Sequence, residues 1–282
     1  GLANSSDSGV KGDNRTNDTT PDLSGTAEPG STVKVVVGGS TYTTTADVNG
    51  QWTLTATSPL SNGVTYTPTI QVIDAAGNAT AAVNGTPFTI DTVAPANGTA
   101  GLASVSDSGT TADNKTNDNT PVLSGTAEAG SKVELTVNGK TYVTTAGSTG
   151  AWSVDLQTAI ATGDSAPAAV LANGTYTPTI KVTDAAGNAT SIVNGTTFVI
   201  DTAPPTVSLT TATIMNTASA VVQSTEAGTV YLIKSSVTVN SLADITSAPS
   251  GVWNSVAVSA NTSTNLAATG LVDGTYKAYA VD

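Results

Sequence analysis

Cysteine and histidine are both absent from these 282 residues. Their absence excludes a disulfide framework, a thiolate nucleophile, a Ser-His-Asp triad and a Cys/His zinc site. Aromatics are scarce, with two Phe, three Trp and seven Tyr, so each core must rest on Val, Ile, Leu and Ala around single rings. Basic residues number nine against twenty-one acidic ones, for a net charge of -12. Nothing in that balance neutralises phosphates, which sets nucleic acid aside as a partner and favours divalent cations. No apolar run is long enough to cross a bilayer and no charged-then-apolar leader opens the chain, so no membrane insertion by this segment is expected.

What the chain does have is repetition. Gly1-Leu2-Ala3, Ser6-Asp7-Ser8-Gly9, Asp13-Asn14, Thr16-Asn17-Asp18 and Leu23-Ser24-Gly25-Thr26-Ala27-Glu28 all return one hundred positions later. The unit is the size of one small β domain. The expected division is 1–94 for the first repeat, 95–204 for a second with a loop insertion at 161–169, and 205–282 for a diverged third unit lacking its final strand. The last unit keeps Thr225-Glu226-Ala227-Gly228 and Asp273-Gly274-Thr275-Tyr276 but has no acidic opening loop. The sequence begins inside a repeat and stops at Val281-Asp282, where the earlier copies run on into Ala-Ala-Gly-Asn; this reads as an excerpt from a longer protein whose targeting signals lie elsewhere.

Within the second repeat, Val133, Leu135 and Val137 alternate with polar residues, a period-two strand with one wet face. Asn138-Gly139 is a hairpin turn, with a returning strand at 141–145. Trp152 and Val154 share one face of the next strand. A longer strand is expected over 175–184, a turn at Asp184-Ala185-Ala186-Gly187-Asn188, and a last strand at 196–201 with Phe198 and Ile200 inward. No segment carries an amphipathic helical period. Six or seven short strands per hundred residues predict an all-β chain of tandem immunoglobulin-like β-sandwiches, arranged as an extended rod. Trp52, Trp152 and Trp253 recur once per unit as core pillars.

The acids are lopsided, seventeen Asp to four Glu, and Asp is the short carboxylate that both turns and calcium loops favour. If the opening loop precedes the first strand, it lies at the domain's N-terminal pole, beside the exit turn of the penultimate strand. That places Asp107, Asp113, Asp118 and Asp184 together at the junction with the preceding repeat, whose end Asp91 marks. The same logic groups Asp7, Asp13, Asp18 and Asp74 in the first repeat, and Asp201 closes the second repeat as Asp91 closes the first. Like charges about 4 Å apart cost several kcal/mol at intermediate dielectric, a penalty that bound Ca2+ relieves. Lys115 is the main nearby cation. Asp and Asn also populate turns by bonding their own backbone, so any single one of these residues is as readily a turn residue as a ligand. Asp155 and Asp164 do not read as paired catalytic acids, and no nucleophile-base pair or cofactor loop is present, so no enzyme is expected.

Ser-Asp-Ser-Gly, the Asp-Asn…Thr-Asn-Asp…Thr-Pro run, Leu-Ser-Gly-Thr-Ala-Glu, Asp-Ala-Ala-Gly-Asn and the closing Ile-Asp-Thr-x-x-Pro resemble bacterial Ig-like repeats of giant RTX and biofilm-associated surface adhesins. The likeness covers the first two units nearly end to end and the third in pieces. It implies an extracellular, type I secreted extender whose neighbouring repeats share calcium at their junctions, with Asp107, Asp113, Asp118, Asp184 and Asp91 as ligands. A distal domain would then bind the adhesion target. The alternative is that these modules themselves bind a glycan or a host protein, with the insertion at 161–169 and the atypical third unit as its supports.

Overall fold

The computed structural model describes residues 1–168 and 170–282. It divides into two compact units, Gly1–Asp201 and Thr202–Asp282. Its regular structure is almost entirely β-strand; a five-residue helix, Leu242–Thr246, is the one helix among the described residues. That helix is too short to show a period. Its start is written in Ser241-x-x-Asp244, where the Asp244 carboxylate accepts hydrogen bonds from the Asn240 and Ser241 amides at 2.9 and 2.8 Å, satisfying donors that a helix leaves open.

Unit 1 holds two copies of one sandwich. In the second, Thr and Val drive a four-stranded sheet in the order Lys140–Thr145, Lys132–Val137, Thr179–Thr183, Val193–Asn194, as β-branched residues favour the pleat. Val133 faces Val182 and Leu135 faces Ile180 across it, and all four are at most 1% exposed. A second sheet pairs Gly101–Leu102 with Val122–Thr126 and that strand with Ala151–Asp155. A third places Phe198–Ile200 between Lys115–Thr116, to which it runs parallel, and Gly174–Tyr176, to which it runs antiparallel. The first repeat has the same three groupings, with Phe88–Ile90 between Arg15–Thr16 and Thr65–Tyr66; Leu2 bridges Leu23 where Gly101–Leu102 pairs in the second.

The strand expected over 175–184 is two strands. Thr177-Pro178 interrupts it, and the halves Gly174–Tyr176 and Thr179–Thr183 belong to different sheets. Proline brings no amide to a ladder, so the chain changes sheets there. Of the insertion at 161–169, Ala169 lies outside the described residues. The rest folds onto its own module: Ala161 is buried, and Asp164 pairs with Lys140 at 2.8 Å, raising the lysine's pKa through that hydrogen bond.

Trp52 and Trp152 are core residues at 4% and 5% exposure. Each ring lies over the glycine that faces it across the strand pair, Gly25 and Gly125. Trp253 differs. It is half-buried outside the third core, packs on Tyr231 at 6.0 Å, and donates its indole N–H to the Ala248 carbonyl at 3.3 Å; the expectation of three equivalent pillars does not hold. A Cβ on Gly125 would meet the Thr99 carbonyl oxygen at 1.8 Å and Trp152 Cζ2 at 2.8 Å. Gly125→Ala is therefore expected to destabilise the second repeat by about 1–3 kcal/mol through overpacking, measured by denaturant unfolding against Gly147→Ala, where φ is not positive and a Cβ would meet only the Ala151 carbonyl oxygen at 3.4 Å.

Candidate functional site

The opening loop of the first repeat is built by its own short polar side chains. The amides of Ser6 and Asp7 donate to the Ala3 carbonyl, both at 3.0 Å. Asp7 Oδ2 accepts the Gly12 amide at 2.6 Å, Asp13 Oδ1 the Arg15 amide at 2.8 Å, and Asp18 Oδ1 the Thr20 amide at 2.9 Å. Asp18 Oδ2 also accepts the Ser6 hydroxyl at 3.0 Å. The second repeat reproduces this pattern, with Asp107 on Ala112, Asp113 on Lys115 and Asp118 on Thr120. These are Asx-type bonds that close turns.

The pole of this loop differs from the sequence expectation. Gly101–Leu102 already pairs with Leu123 and Ser124, so the loop follows the first strand rather than preceding it. The loop is thereby carried to the far end, where Asp201 donates its amide to the Thr116 carbonyl at 2.8 Å and accepts the Asn173 side-chain amide at 3.2 Å. In the first repeat the Asp91 amide donates likewise to the Thr16 carbonyl, and Asp91 faces Arg15 at 3.8 Å. Asp7, Asp13, Asp18 and Asp91 therefore share one end of the first repeat. Asp107, Asp113, Asp118 and Asp201 share the corresponding end of the second. Asp74 and Asp184 sit on turns at the opposite ends of their modules. The grouping of Asp107, Asp113 and Asp118 with Asp184 and Asp91, and of Asp74 with Asp7, Asp13 and Asp18, is corrected accordingly.

The residues that meet between the two repeats are Asp184 and its turn on one side and the first repeat's opening loop on the other. The Val10 amide donates to the Ala185 carbonyl at 2.9 Å, and the Ser8 hydroxyl donates to the Ala186 carbonyl. The Asn188 side-chain amide donates to Asp184 Oδ2 at 2.9 Å and to the Asp91 carbonyl at 2.8 Å. Asp184 is 6% exposed and Ala186 is fully buried. The identical Asp74-Ala75-Ala76-Gly77-Asn78 turn of the first repeat is exposed from Ala75 to Asn78, so burial comes from the neighbour and not from the turn. Gly9 makes the approach possible: at φ +59°, a Cβ there would sit 2.1 Å from the Ala185 carbonyl oxygen. Ser8, Gly9 and Val10 carry no chemical signature of their own; their signal is that each repeat puts a glycine in the opening loop and another in the Asp-Ala-Ala-Gly-Asn turn.

Electrostatically the loop is less crowded than the sequence suggests. Among the described residues of unit 1, no three carboxylates bring their oxygens within 4.8 Å of one another. Lys11 places its ammonium on the Asn4 carbonyl at 3.1 Å and on the Asp7 carbonyl. Within the loop an oxygen stays unsatisfied in both repeats: Asp7 is 3% exposed, and the buried Oδ1 of Asp7, like Oδ1 of Asp107, has no hydrogen-bond partner. A buried carboxylate oxygen without a donor is costly and suits a hard cation.

The family model described as bacterial Ig-like domain matches residues 1–92 and again 94–202. Among solved structures, the chain is similar to a Ca2+-stabilized adhesin that helps an Antarctic bacterium reach out and bind ice, at 25% identity over 96% of this chain and 70% of that one, with a TM-score of 0.35. It is similar to a 1.5-MDa bacterial ice-binding adhesin at 22% identity over 93% and 86%, TM-score 0.36. It is also similar to fibronectin(III)-like modules of Clostridium thermocellum CbhA at 13% identity over 68% and 90%, TM-score 0.37. No curated protein matches the sequence.

Gly9→Ala is expected to abolish the slow hydrogen exchange of the Val10 amide, which only the junction protects. Gly12→Ala is the matched control: it is also at positive φ, has nothing within 4 Å, and stands where the second repeat carries Ala112 at φ 67°. It should cost about 1 kcal/mol of backbone strain and leave Val10 protected. A second expectation concerns pH. The Asn78 side-chain amide, then the Asn78 backbone N–H, hold the Asp74 carboxyl below its usual value. A depressed folded pKa means that this contribution is complete at neutral pH and is lost as pH falls below about 4. NMR titration should show the Asp74 carboxyl returning toward its ordinary value in Asn78→Ala.

Proposed function

The chain belongs to the bacterial Ig-like domain family, and from that premise we propose that it is a calcium-stiffened spacer of a bacterial cell-surface adhesin. In this role it is extracellular and type I secreted, and it holds a distal ligand-binding domain away from the cell for adhesion or biofilm formation. Its own neighbouring repeats are its partners. The observation that carries this is the locked contact between the first two repeats, in which one Asp-Ala-Ala-Gly-Asn turn is buried by the preceding module's opening loop while its identical twin is exposed. A chain whose modules grip one another end to end transmits orientation; a chain on free linkers does not.

Calcium fits this junction through the orphaned Asp7 Oδ1. Asp7, Asp13, Asp18 and Asp91 would hold it, with Asp184 across the contact. Asp107, Asp113, Asp118 and Asp201 would serve the end of the second repeat, and Asp74 the opposite end of the first. Because the carboxylates do not converge, backbone carbonyls and water would have to complete a shell of six to eight oxygens. The bound ion supplies positive charge where the loop has gathered negative charge. The chain's residues do the rest: Ser6 and Thr20 fix Asp18, Gly12 fixes Asp7, and Asn188 ties Asp184 to Asp91.

Millimolar Ca2+ is expected to raise the melting temperature of the 282-residue chain and to lengthen its scattering profile. The midpoint should fall on the order of 10⁻⁴ to 10⁻³ M, the range of extracellular calcium modules. Asp7→Asn should shift that midpoint upward at least several-fold while leaving the calcium-free melting curve in place. Melting and scattering that do not change on chelation would defeat the proposal.

A further inference from the structure

The two opening loops of unit 1 are built alike and differ in one charge. Between residues 4–18 and 104–118 every charged position is matched in sign, with Arg15 answered by Lys115, except that Lys11 stands where the second repeat has Thr111. Both side chains are exposed. The turn that presents them is the same in each loop: Asp7 Oδ2 accepts the Gly12 amide and Asp107 Oδ2 accepts the Ala112 amide, both at 2.6 Å.

In the first loop this turn folds Lys11 back over the aspartate that closes it. The Lys11 ammonium donates to the Asn4 carbonyl at 3.1 Å and to the Asp7 carbonyl. It does not satisfy the buried Asp7 Oδ1, which has no hydrogen-bond partner. An ammonium offers three donors and a full positive charge. The oxygens it has found, main-chain carbonyls beside a carboxylate, are the kind that a hard divalent cation takes. Lys11 is thus a tethered cation on two of the loop's own oxygens. An ion at Asp7 Oδ1 has to displace it or bear its repulsion, since both charges then stand on oxygens of one residue. In the second loop Thr111 has no charge to offer the Ser104 and Asp107 carbonyls, and Asp107 Oδ1 is equally without a partner.

We propose, on the calcium reading of these loops, that Lys11 sets the order in which they fill. It holds the calcium affinity of the first loop about ten-fold below that of the second, as expected for one like charge near a partly solvated site. Calcium enters the second loop first. The first loop, which grips the Asp184 turn, keeps part of its charge balance without an ion and responds only as calcium rises further. Lys11 thereby tunes the concentration at which the junction between the repeats stiffens.

The test is a calcium titration of the intact 282-residue chain, followed by NMR at the Gly12 and Ala112 amides, each of which reports on the carboxylate it donates to. In the unaltered chain the Ala112 midpoint should lie about ten-fold below the Gly12 midpoint. Lys11→Thr should bring the Gly12 midpoint down to that of Ala112. Thr111→Lys should raise the Ala112 midpoint by about ten-fold, and each exchange should leave the other loop where it was. Both positions are exposed, so neither exchange disturbs a core. Coincident midpoints in the unaltered chain, or midpoints that ignore both exchanges, would overturn the proposal and leave calcium binding in place. Absence of any calcium response at Gly12 and Ala112 in all three proteins would remove the calcium reading itself, and the role of Lys11 with it.

Discussion

The contact on which the structure of unit 1 turns is a grip on main-chain carbonyls between an opening loop and a turn one module away, made by one amide and two short side chains. Val10 and Ser8 reach the carbonyls of Ala185 and Ala186, while Asn188 returns a bond to the Asp91 carbonyl. None of these partners is a long side chain, so little rotamer entropy is lost in making them. The acceptors are all main-chain carbonyls, which any copy of the turn presents at the same place. The grip therefore needs glycines where the chains approach most closely, a loop held stiffly enough to present the Val10 amide, and the short polar side chains of Ser8 and Asn188.

That stiffness is where the aspartates work without any ion. Each is spent first on an amide two to five residues ahead, and Asp18 also on the Ser6 hydroxyl. Negative charge is thus anchored in turns rather than gathered in one pocket, and Arg15 offsets part of it at Asp91. What remains unbalanced is local: one buried oxygen on Asp7 and its equal on Asp107. A cation has a reason to bind there even though the acids as a group are spread out.

Much of the fold was legible because its signals are local. Asn138-Gly139 forms its hairpin, and Val133, Leu135 and Val137 face the core as alternation requires. The missed features depend on very short pairings. Gly101–Leu102 is only two residues long, too brief for any period to show, yet it decides which pole receives the acidic loop. The sequence reading therefore put Asp107, Asp113 and Asp118 at the wrong pole, while Asp184 and Asp91 meet through Asn188 as expected. Pro178 was visible but was read as part of a strand; its missing amide divides the segment between two sheets. Trp253 matched its counterparts in spacing alone, without the glycine partner that lets Trp52 and Trp152 lie flat.

The pairing of Phe198–Ile200 with Lys115–Thr116 has a mechanical consequence. These strands run parallel, the first leading toward the module's exit and the second lying inside its opening loop. A pull on the exit slides one past the other along their length, so the bonds on both flanks of Phe198–Ile200 bear the load together instead of parting one by one. Forced unfolding depends on the rate of crossing such a barrier rather than on equilibrium stability. Drawn taut, each of the first two modules would hold its length until it gives way all at once.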